Sequence, residues 1–535
     1  MPKILLIQPM TSDSYWKMSG ILKGKYKSLL PPLGLATIAA FTPPGYEVQI
    51  LDESIEEIDF DTPCDLVGIT GFNLHAERMI EISKAFQERG VKTVGGGPFC
   101  TSNAEEISSC FDIIVCGEAE NIWSKVLEDL QNGNPEKFYH GEQIDMAESP
   151  HPRWDLIKLN KYFFSIAQSS RGCPYDCEFC DVVALFGNRM RYKPVDHILQ
   201  EIESLEKLRA HSIFIADDNL IGNKKYIFDL LDRLIKFNRT LKRPLRFATQ
   251  VTLNVAKDEE LLDLFKKANF FMFFIGIESP SEESLIETNK KHNLALDMKE
   301  AVRRIQSRGI FITNGMIVGF DSDDLSIFSA QKMFLQESGL PVSYASPLYP
   351  VKGTKLWDRL NKEGRLFKER DPLQMVKFNY SFFPKNMTRA ELMQGYFDLV
   401  EEINSYPFLL KVFRNFFDQV DFEKVKKDSP LTARMRSRRK LFNFQQFLLM
   451  VYFFIIAGNK ESRSFYFSVI KMAIKKGWIC LGYAQDVLLQ VISNLSFARY
   501  ALSKKSEIID QTSLTKEKLA STLISESVAN GKRSD

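Results

Sequence analysis

Phe164-Ser165-Ile166-Ala167-Gln168-Ser169-Ser170-Arg171-Gly172-Cys173-Pro174-Tyr175-Asp176-Cys177-Glu178-Phe179-Cys180 is the stretch on which the reading of this chain turns. Phe164 to Gln168 predicts a short strand. The loop that follows places Cys173, Cys177 and Cys180 at C-x3-C-x2-C spacing. Three thiolates in one short loop can hold three irons of a four-iron cluster and leave the fourth iron open to a small molecule. Structural zinc normally takes four ligands. No C-x2-C pair or His pair follows downstream, and His197 and His211 stand singly. With eight cysteines in a long chain and no secretory signal at its start, a disulfide framework is not expected.

Downstream of the cysteines, strand and helix signals alternate. The predicted strands are Phe164–Gln168, Ser212–Ala216, Arg246–Val251, Phe271–Ile277, Ile310–Val318 and Val342–Ala345, separated by amphipathic helices such as 195–208 and 258–268. Six β/α units in about 200 residues predict a partial barrel of parallel strands, with reactive loops at the carboxyl ends. Upstream, strands are expected at 3–9, 46–52, 66–70, 91–94 and 113–116, again with intervening helices. That is an open parallel α/β sheet. Its ligand crevice lies beyond the carboxyl ends of the strands, at Gln8-Pro9, Thr70-Gly71-Phe72, Gly95-Gly96-Gly97 and Gly117-Glu118. No G-x-G-x-x-G follows the first strand, so a dinucleotide fingerprint is missing.

The expected organisation is an N-terminal sheet over 1–140, a linker over 141–163, the barrel over 164–370, a helical region over 371–503 and a flexible tail over 504–535. Hydrophobic residues make up 44% and charged residues 26% of the 535, as in an ordinary globular protein. A formal net charge of +2 provides no global basic field and argues against nucleic acid as a partner. Phenylalanine is abundant, at 42 residues, and the apolar run Phe447–Gly458 is too short to span a bilayer. That run is read as a buried core helix, with an interfacial segment as the alternative. Leu431–Lys440, carrying Arg434, Arg436, Arg438, Arg439 and Lys440, is read as a solvated basic face. The alternative for it is peripheral contact with anionic lipid. The short apolar start, ended by Pro9, reads as a strand and not as a targeting signal.

Cys173, Cys177 and Cys180, with the aromatic Phe179 before the last cysteine, resemble the C-x3-C-x-aromatic-C motif of radical S-adenosylmethionine (SAM) enzymes. That resemblance implies a 4Fe-4S cluster whose open iron binds SAM. It also implies SAM contacts at Phe179, at Asp217 and Asp218 (in place of the family's Gly-Gly-Glu-like segment), and at Gln250, Glu278, Ser279, Ile317 and Gly319. Gly315-Met316-Ile317-Val318-Gly319 is similar to the family's G-x-I-x-G segment, and Pro350-Val351-Lys352-Gly353-Thr354 to its P-x-x-G-T segment.

The N-terminal part resembles the cobalamin-binding domain that precedes the barrel in one subgroup. Cobalamin contacts are therefore implied at Gln8, Pro9, Leu33, Gly34, Thr70, Gly71, Phe72, Gly95, Gly96, Gly97, Gly117 and Glu118. No D-x-H-x-x-G motif occurs, which implies base-off cobalamin without a histidine lower ligand, or no cobalamin at all. Residues 1–500 are similar to the branch holding hopanoid C-2 methylases and bacteriochlorophyll side-chain methylases. The similarity implies a cytoplasmic enzyme, with membrane association as an open alternative. Its implied reaction is methylation of an unactivated carbon on a hydrophobic lipid or tetrapyrrole, with reducing power from a flavodoxin or ferredoxin. Cyclisation, oxidation or carbon–carbon coupling is the alternative chemistry.

Overall fold

A computed structural model describes residues 1–10, 26–366, 382–421, 447–476, 478–506 and 508–509. The basic run Leu431–Lys440 and nearly all of the tail from residue 504 lie outside these.

The N-terminal sheet contains six strands: β1 (Lys3–Gln8), β2 (Glu47–Asp52), β3 (Leu66–Thr70), β4 (Lys92–Gly96), β5 (Ile113–Gly117) and β6 (Phe138–Gly141). Their order is β2-β1-β3-β4-β5-β6 and every pairing is parallel. The sixth strand falls at the margin of the segment read as a linker. Its residues carry no alternation of their own, and they extend because the β5 edge offers them partners. Ile4, Leu5, Leu6 and Ile7 are all buried, as in a parallel strand covered by helices on both faces.

The second sheet begins with β7 (Ser165–Ala167). A two-stranded antiparallel ribbon, β8 (Ser170–Arg171) and β9 (Arg191–Tyr192), flanks the cysteine loop. The sheet then continues through β10 (Ser212–Ile215), β11 (Arg246–Gln250), β12 (Phe270–Glu278), β13 (Phe311–Val318) and β14 (Val342–Pro347). Six parallel strands stand in chain order, from β7 to β14, forming the expected partial barrel. The helices pack through apolar stripes. In Val195–Lys207 the buried Val195, Ile198, Ile202 and Leu205 recur every three to four residues, the period of one helix face. Each such side chain contributes roughly 1.5–3 kcal/mol on burial.

Helices Arg389–Ile403, Tyr406–Gln419, Lys460–Lys476 and Trp478–Ser503 cap the barrel. Phe413, Phe416, Phe465 and Tyr483 share one core with Phe164, Phe271, Phe311 and Val342, which come from the amino-terminal ends of the barrel strands or just before them. Arg246 and Asp486 pair across this junction at 2.6 Å. The carboxyl ends of the strands are left to face the N-terminal sheet. The run 447–458 is only in part the buried core helix expected of it, with Met450 and Phe454 entering the core. Val451–Ile456 winds as a widened, π-type helix in which Phe454 is buried while Tyr452 and Ile456 are exposed. Among the described residues no helix is long and apolar enough to cross a membrane.

Candidate active site

Cys173, Cys177 and Cys180 lie in the loop between β8 and β9, each half-buried. The loop is held from several sides. Glu178 N–H donates to the Thr288 carbonyl at 2.9 Å, and Leu356 N–H donates to the Glu178 carbonyl at 2.9 Å. The Glu178 carboxylate receives Arg359 Nε and Nη2 at 2.5 and 3.0 Å. Asn289 Nδ2 donates to the Asp176 carbonyl at 3.1 Å, and Lys355 pairs with the Asp176 carboxylate. Tyr175 stacks on His292 at 3.7 Å between ring centroids and accepts from Asn254 Nδ2 at 2.7 Å.

Burial pushes all three thiols up, Cys177 to about 11 and Cys180 to about 12. Backbone N–H groups of Tyr175 and Val182 act in the opposite sense on Cys173 and Cys180. Lys290 is a buried cation beside them. Its Nζ lies 2.6 Å from Glu278 Oε1 and 5.6 Å from the Phe179 ring centroid. Burial alone would favour the neutral amine, but the Glu278 carboxylate, joined by Cys177 and Cys180 when these are ionised, outweighs it and keeps the proton on. A buried positive charge facing three thiols suits a centre that carries negative charge when its ligands are ionised. Among the described residues no three metal-ligating side chains converge as a single-ion site requires. Thiolates that each serve a separate iron need no such convergence. The donor set therefore fits a cluster.

The residues expected around SAM divide into two groups. Phe179, Glu278 and Gly319 gather at the loop. Phe179 packs 5.8 Å from Phe320. Gly319, at φ +102°, and Phe320 both donate backbone N–H to Asp323. Glu278 ends β12 at φ +66°, a left-handed conformation uncommon for a residue with a side chain, and turns its carboxylate to Lys290. Asp218 accepts from Gly172 N at 2.8 Å, and burial pushes its carboxyl up to about 7. Asp217 lies beneath. Its buried oxygens take Ser169 N, Ser169 Oγ and Ser170 Oγ at 2.5–2.7 Å, so it anchors the strand that leads into the loop. Gln250 ends β11, and its carbonyl accepts from Leu220 N. Ser279 is buried and caps Ser281 N at 3.1 Å, while the Ile317 carbonyl accepts from Gln331.

The residues expected around cobalamin form one row. Gln8, Thr70, Gly95, Gly96 and Gly117 end β1, β3, β4 and β5, with Thr70 in register with Gly96. Pro9 is buried just beyond Gln8, while Phe72 is 57% exposed. Leu33 and Gly34 open the helix Leu33–Phe41. The glycines differ in what they meet. A side chain at Gly34 would enter open space, and one at Gly96 would meet only the Val115 carbonyl at 3.9 Å, an ordinary contact, which leaves room for a large flat ligand. Side chains at Gly71, Gly95, Gly97 or Gly117 would strike His75, Phe111, Thr70 or the Gly141 carbonyl respectively, so protein packing alone requires glycine there. His75 is buried. Its Nδ1 accepts from Phe72 N at 3.1 Å, its Nε2 lies 3.3 Å from Gln8 Nε2, and burial lowers its pKa to about 4.

Glu118 joins the two halves. Its carboxylate takes Arg171 Nη1 at 3.0 Å, Arg191 Nη1 at 2.9 Å and Ile144 N at 3.2 Å, with Arg191 Nη2 on its other oxygen. Arg171 also pairs with Glu120 at 2.6 Å. All four side chains are close to nine-tenths buried or more. The network runs from the end of β5 to the residue two before Cys173. Lys352, in the loop after β14, also pairs with Glu106 of the N-terminal half. Sequence reasoning identified Glu118 but not Arg171, Arg191 or Lys290. The only local hint was a double acid, Glu118-x-Glu120, which demands cations if buried.

Three family models cover the chain: a B12 binding domain over residues 20–127, the radical SAM superfamily over 168–327 and a domain of unknown function (DUF4070) over 354–508. Among curated relatives, an uncharacterized methyltransferase of Synechocystis sp. is 34% identical over 69% of this chain and 70% of its own length. The hopanoid C-2 methylase of Rhodopseudomonas palustris is 31% identical over 70% of this chain and 73% of its own. Among solved structures, the radical SAM methyltransferase TsrM of Kitasatospora setae, with cobalamin and a [4Fe-4S] cluster bound, matches with a TM-score of 0.59 over 89% of this chain and all of its own, at 15% identity. The fold and site define a radical SAM enzyme. The chain belongs to the cobalamin-binding radical SAM family related to the hopanoid and bacteriochlorophyll methyltransferases, and its cofactors are a 4Fe-4S cluster, SAM and cobalamin.

Proposed function

We propose that this enzyme transfers a methyl group to an unactivated carbon of a hydrophobic lipid or tetrapyrrole. The observation that carries the reading is the Glu118–Arg171–Arg191 network. It ties the strand ends expected to cradle cobalamin to the loop that bears the three cysteines. When bound, the cofactors supply a deoxyadenosyl radical and a transferable methyl group, chemistry that belongs to the cofactors themselves. The chain's own work is different. Cys173, Cys177 and Cys180 hold the cluster, and Lys290 compensates its charge. Phe179, Gly319 and Glu278 shape the SAM side, with Asp218 holding the loop through Gly172. Gly34, Gly96 and Phe72 offer an open, apolar seat for the corrinoid.

The cobalamin is proposed to be base-off without a histidine lower ligand. The D-x-H-x-x-G motif is missing, and the buried His75 already has both ring nitrogens near partners. A flavodoxin or ferredoxin in the cytoplasm is the proposed electron source. The proposed working units are 1–140, 164–370 and 371–503. The test is anaerobic purification with iron and cobalamin supplied. The expected contents are about four irons and one corrinoid per chain, followed by SAM cleavage and a product heavier than its substrate by one methylene. Four irons without corrinoid, or a product with no added carbon, overturns the methylation reading.

A further inference from the structure

The helix Lys460–Lys476 presents an outer face of unusual composition. At 3.6 residues per turn, Lys460, Arg463, Ser464, Phe467, Lys471, Ile474 and Lys475 fall within about 120° of one another, and all seven are exposed. Phe467 is 58% and Ile474 52% exposed. No acidic residue shares this arc. Glu461, the single acid of the helix, lies to one side. The opposite face, with Phe465, Tyr466, Val469 and Ala473, is buried against Phe413 and Phe454, so packing inside the protein does not explain the outer one. The neighbouring segment adds to it: Leu448, Tyr452 and Ile456, spaced four apart, are 50%, 42% and 67% exposed, and Arg463 Nε reaches back to the Ile455 carbonyl at 2.9 Å. These five residues are a large share of the big apolar side chains that the described chain exposes. Scattered exposed hydrophobics are ordinary, but a contiguous set marks an interaction surface.

We propose that this face docks peripherally on an anionic bilayer, with Phe467 and Ile474 entering the headgroup–acyl boundary and the cations around them meeting lipid phosphates. Charge decides among the candidate occupants. A second copy meeting this face with its own would set lysine against lysine, because a two-fold contact is self-complementary. The chain segment 422–446, adjacent in sequence, has eight basic residues against two acidic ones, so it repels the same face. A surface dense in negative charge and apolar beneath it complements both properties at once. The face lies on the helices that cap the amino-terminal side of the barrel, away from the cysteine loop. It therefore anchors the enzyme and does not line the reaction chamber, and it stands apart from the methylation reading.

The experiment is vesicle flotation of the full-length enzyme, made anaerobically with its cofactors, using phosphatidylcholine vesicles with and without phosphatidylglycerol. Binding is expected only to the anionic vesicles and is expected to weaken with salt. A lysine near the membrane surface contributes about a fivefold change in affinity, so K460Q/K471Q/K475Q should bind about a hundredfold more weakly. Phe467→Ser with Ile474→Ser should lose binding on its own. Iron content and SAM cleavage, measured on the same samples, report folding and cofactor loading, and none of these residues belongs to that machinery. Equal binding to both vesicle types, unchanged binding by the triple variant, or no flotation of the wild type at low salt overturns the proposal. So does concentration-dependent self-association abolished by F467S/I474S, which would assign the face to a second copy.

Discussion

Replacing Glu118 by alanine tests whether the two halves of the enzyme are coupled through charge. The carboxylate accepts hydrogen bonds from Arg171, Arg191 and the Ile144 amide. Without it Arg171 keeps Glu120, while Arg191 keeps only the carbonyls of Ile144 and Phe186, and its Nε is already buried without a partner. Breaking a buried pair and leaving one charge uncompensated costs about 3–5 kcal/mol. Because Arg171 retains a partner, the lower end applies, about 3 kcal/mol. Since 1.4 kcal/mol is a factor of ten, amide hydrogen exchange around Gly117–Glu120, Ser170–Arg171 and Arg191–Tyr192 should quicken by about two orders of magnitude. A single unfolding free energy is ill-defined for a multidomain chain, so exchange resolved along the sequence is the suitable assay, with the helix Lys224–Thr240 as internal control. Adding Arg191→Met, which removes the stranded charge, should restore part of the protection. The pH dependence has a definite sign. Burial raises the Glu118 carboxyl, but Arg191 and Arg171 more than offset it, so it titrates below its ordinary range. The protection should be complete above the unfolded value of about 4.3 and lost as pH falls through the lower folded value. A change smaller than about tenfold, or one spread evenly into the control helix, would refute the coupling.

Five further outcomes are expected. Cys173→Ala, Cys177→Ala or Cys180→Ala should each abolish SAM cleavage. Because burial keeps the apo thiols protonated at neutral pH, cluster assembly should release protons, visible as a dependence of the calorimetric heat on buffer ionisation enthalpy. Asp218, raised to about 7 by burial, binds more protons folded than unfolded between about 3.9 and 7; the apo chain should lose stability as pH rises across that window, and Asp218→Asn should flatten the slope. Lys290→Met removes a buried cation beside the cysteines and should lower the cluster potential by about 59 mV for each tenfold loss in the one-electron reduction equilibrium, with Lys290→Arg preserving it in a redox titration followed by EPR. Gly96→Ala, which meets only the Val115 carbonyl at 3.9 Å, should fold normally yet retain less corrinoid, whereas Gly117→Ala, at φ +76° and against the Gly141 backbone, should reduce soluble expression; equal behaviour of the two would contradict the division of glycines drawn above.

The barrel was legible because its strands are short runs rich in buried apolar or β-branched residues between amphipathic helices, and that pattern is local. The cysteine loop was legible for the same reason, since its ligands sit within eight residues. What escaped was long-range. Phe138–Gly141 becomes a strand only because β5 has a free edge, and β8 and β9 are two residues each, too short to carry a period. Arg171, Arg191 and Lys290 are single charges whose partners lie 12 to 73 positions away, a distance over which one sequence holds no pairing signal. The run 447–458 was legible only in part, because hydropathy counts residues and not faces: Met450 and Phe454 enter the core while Leu448, Tyr452 and Ile456 face outward. Of its aromatic residues, Phe454 turns inward while Tyr452 turns out. The glycine loops were located correctly at strand ends, but only neighbouring atoms separate a glycine kept for packing from one that leaves room.

Among the described residues the second sheet does not close, since β7 and β14 are not hydrogen-bonded to each other. Two open margins of backbone are a standing invitation to another chain. One is short and is met by a neighbouring segment: Phe163 and Phe164 donate to the carbonyls of Ser28 and Leu29 at 3.0 Å. The other, Val342–Pro347, is met by the helices Arg389–Ile403 and Trp478–Ser503. The C-terminal region is therefore a guard against polymerisation as well as a cap. A chain stopped after residue 366 would carry every cluster ligand and still be expected to join strand to strand with its own copies.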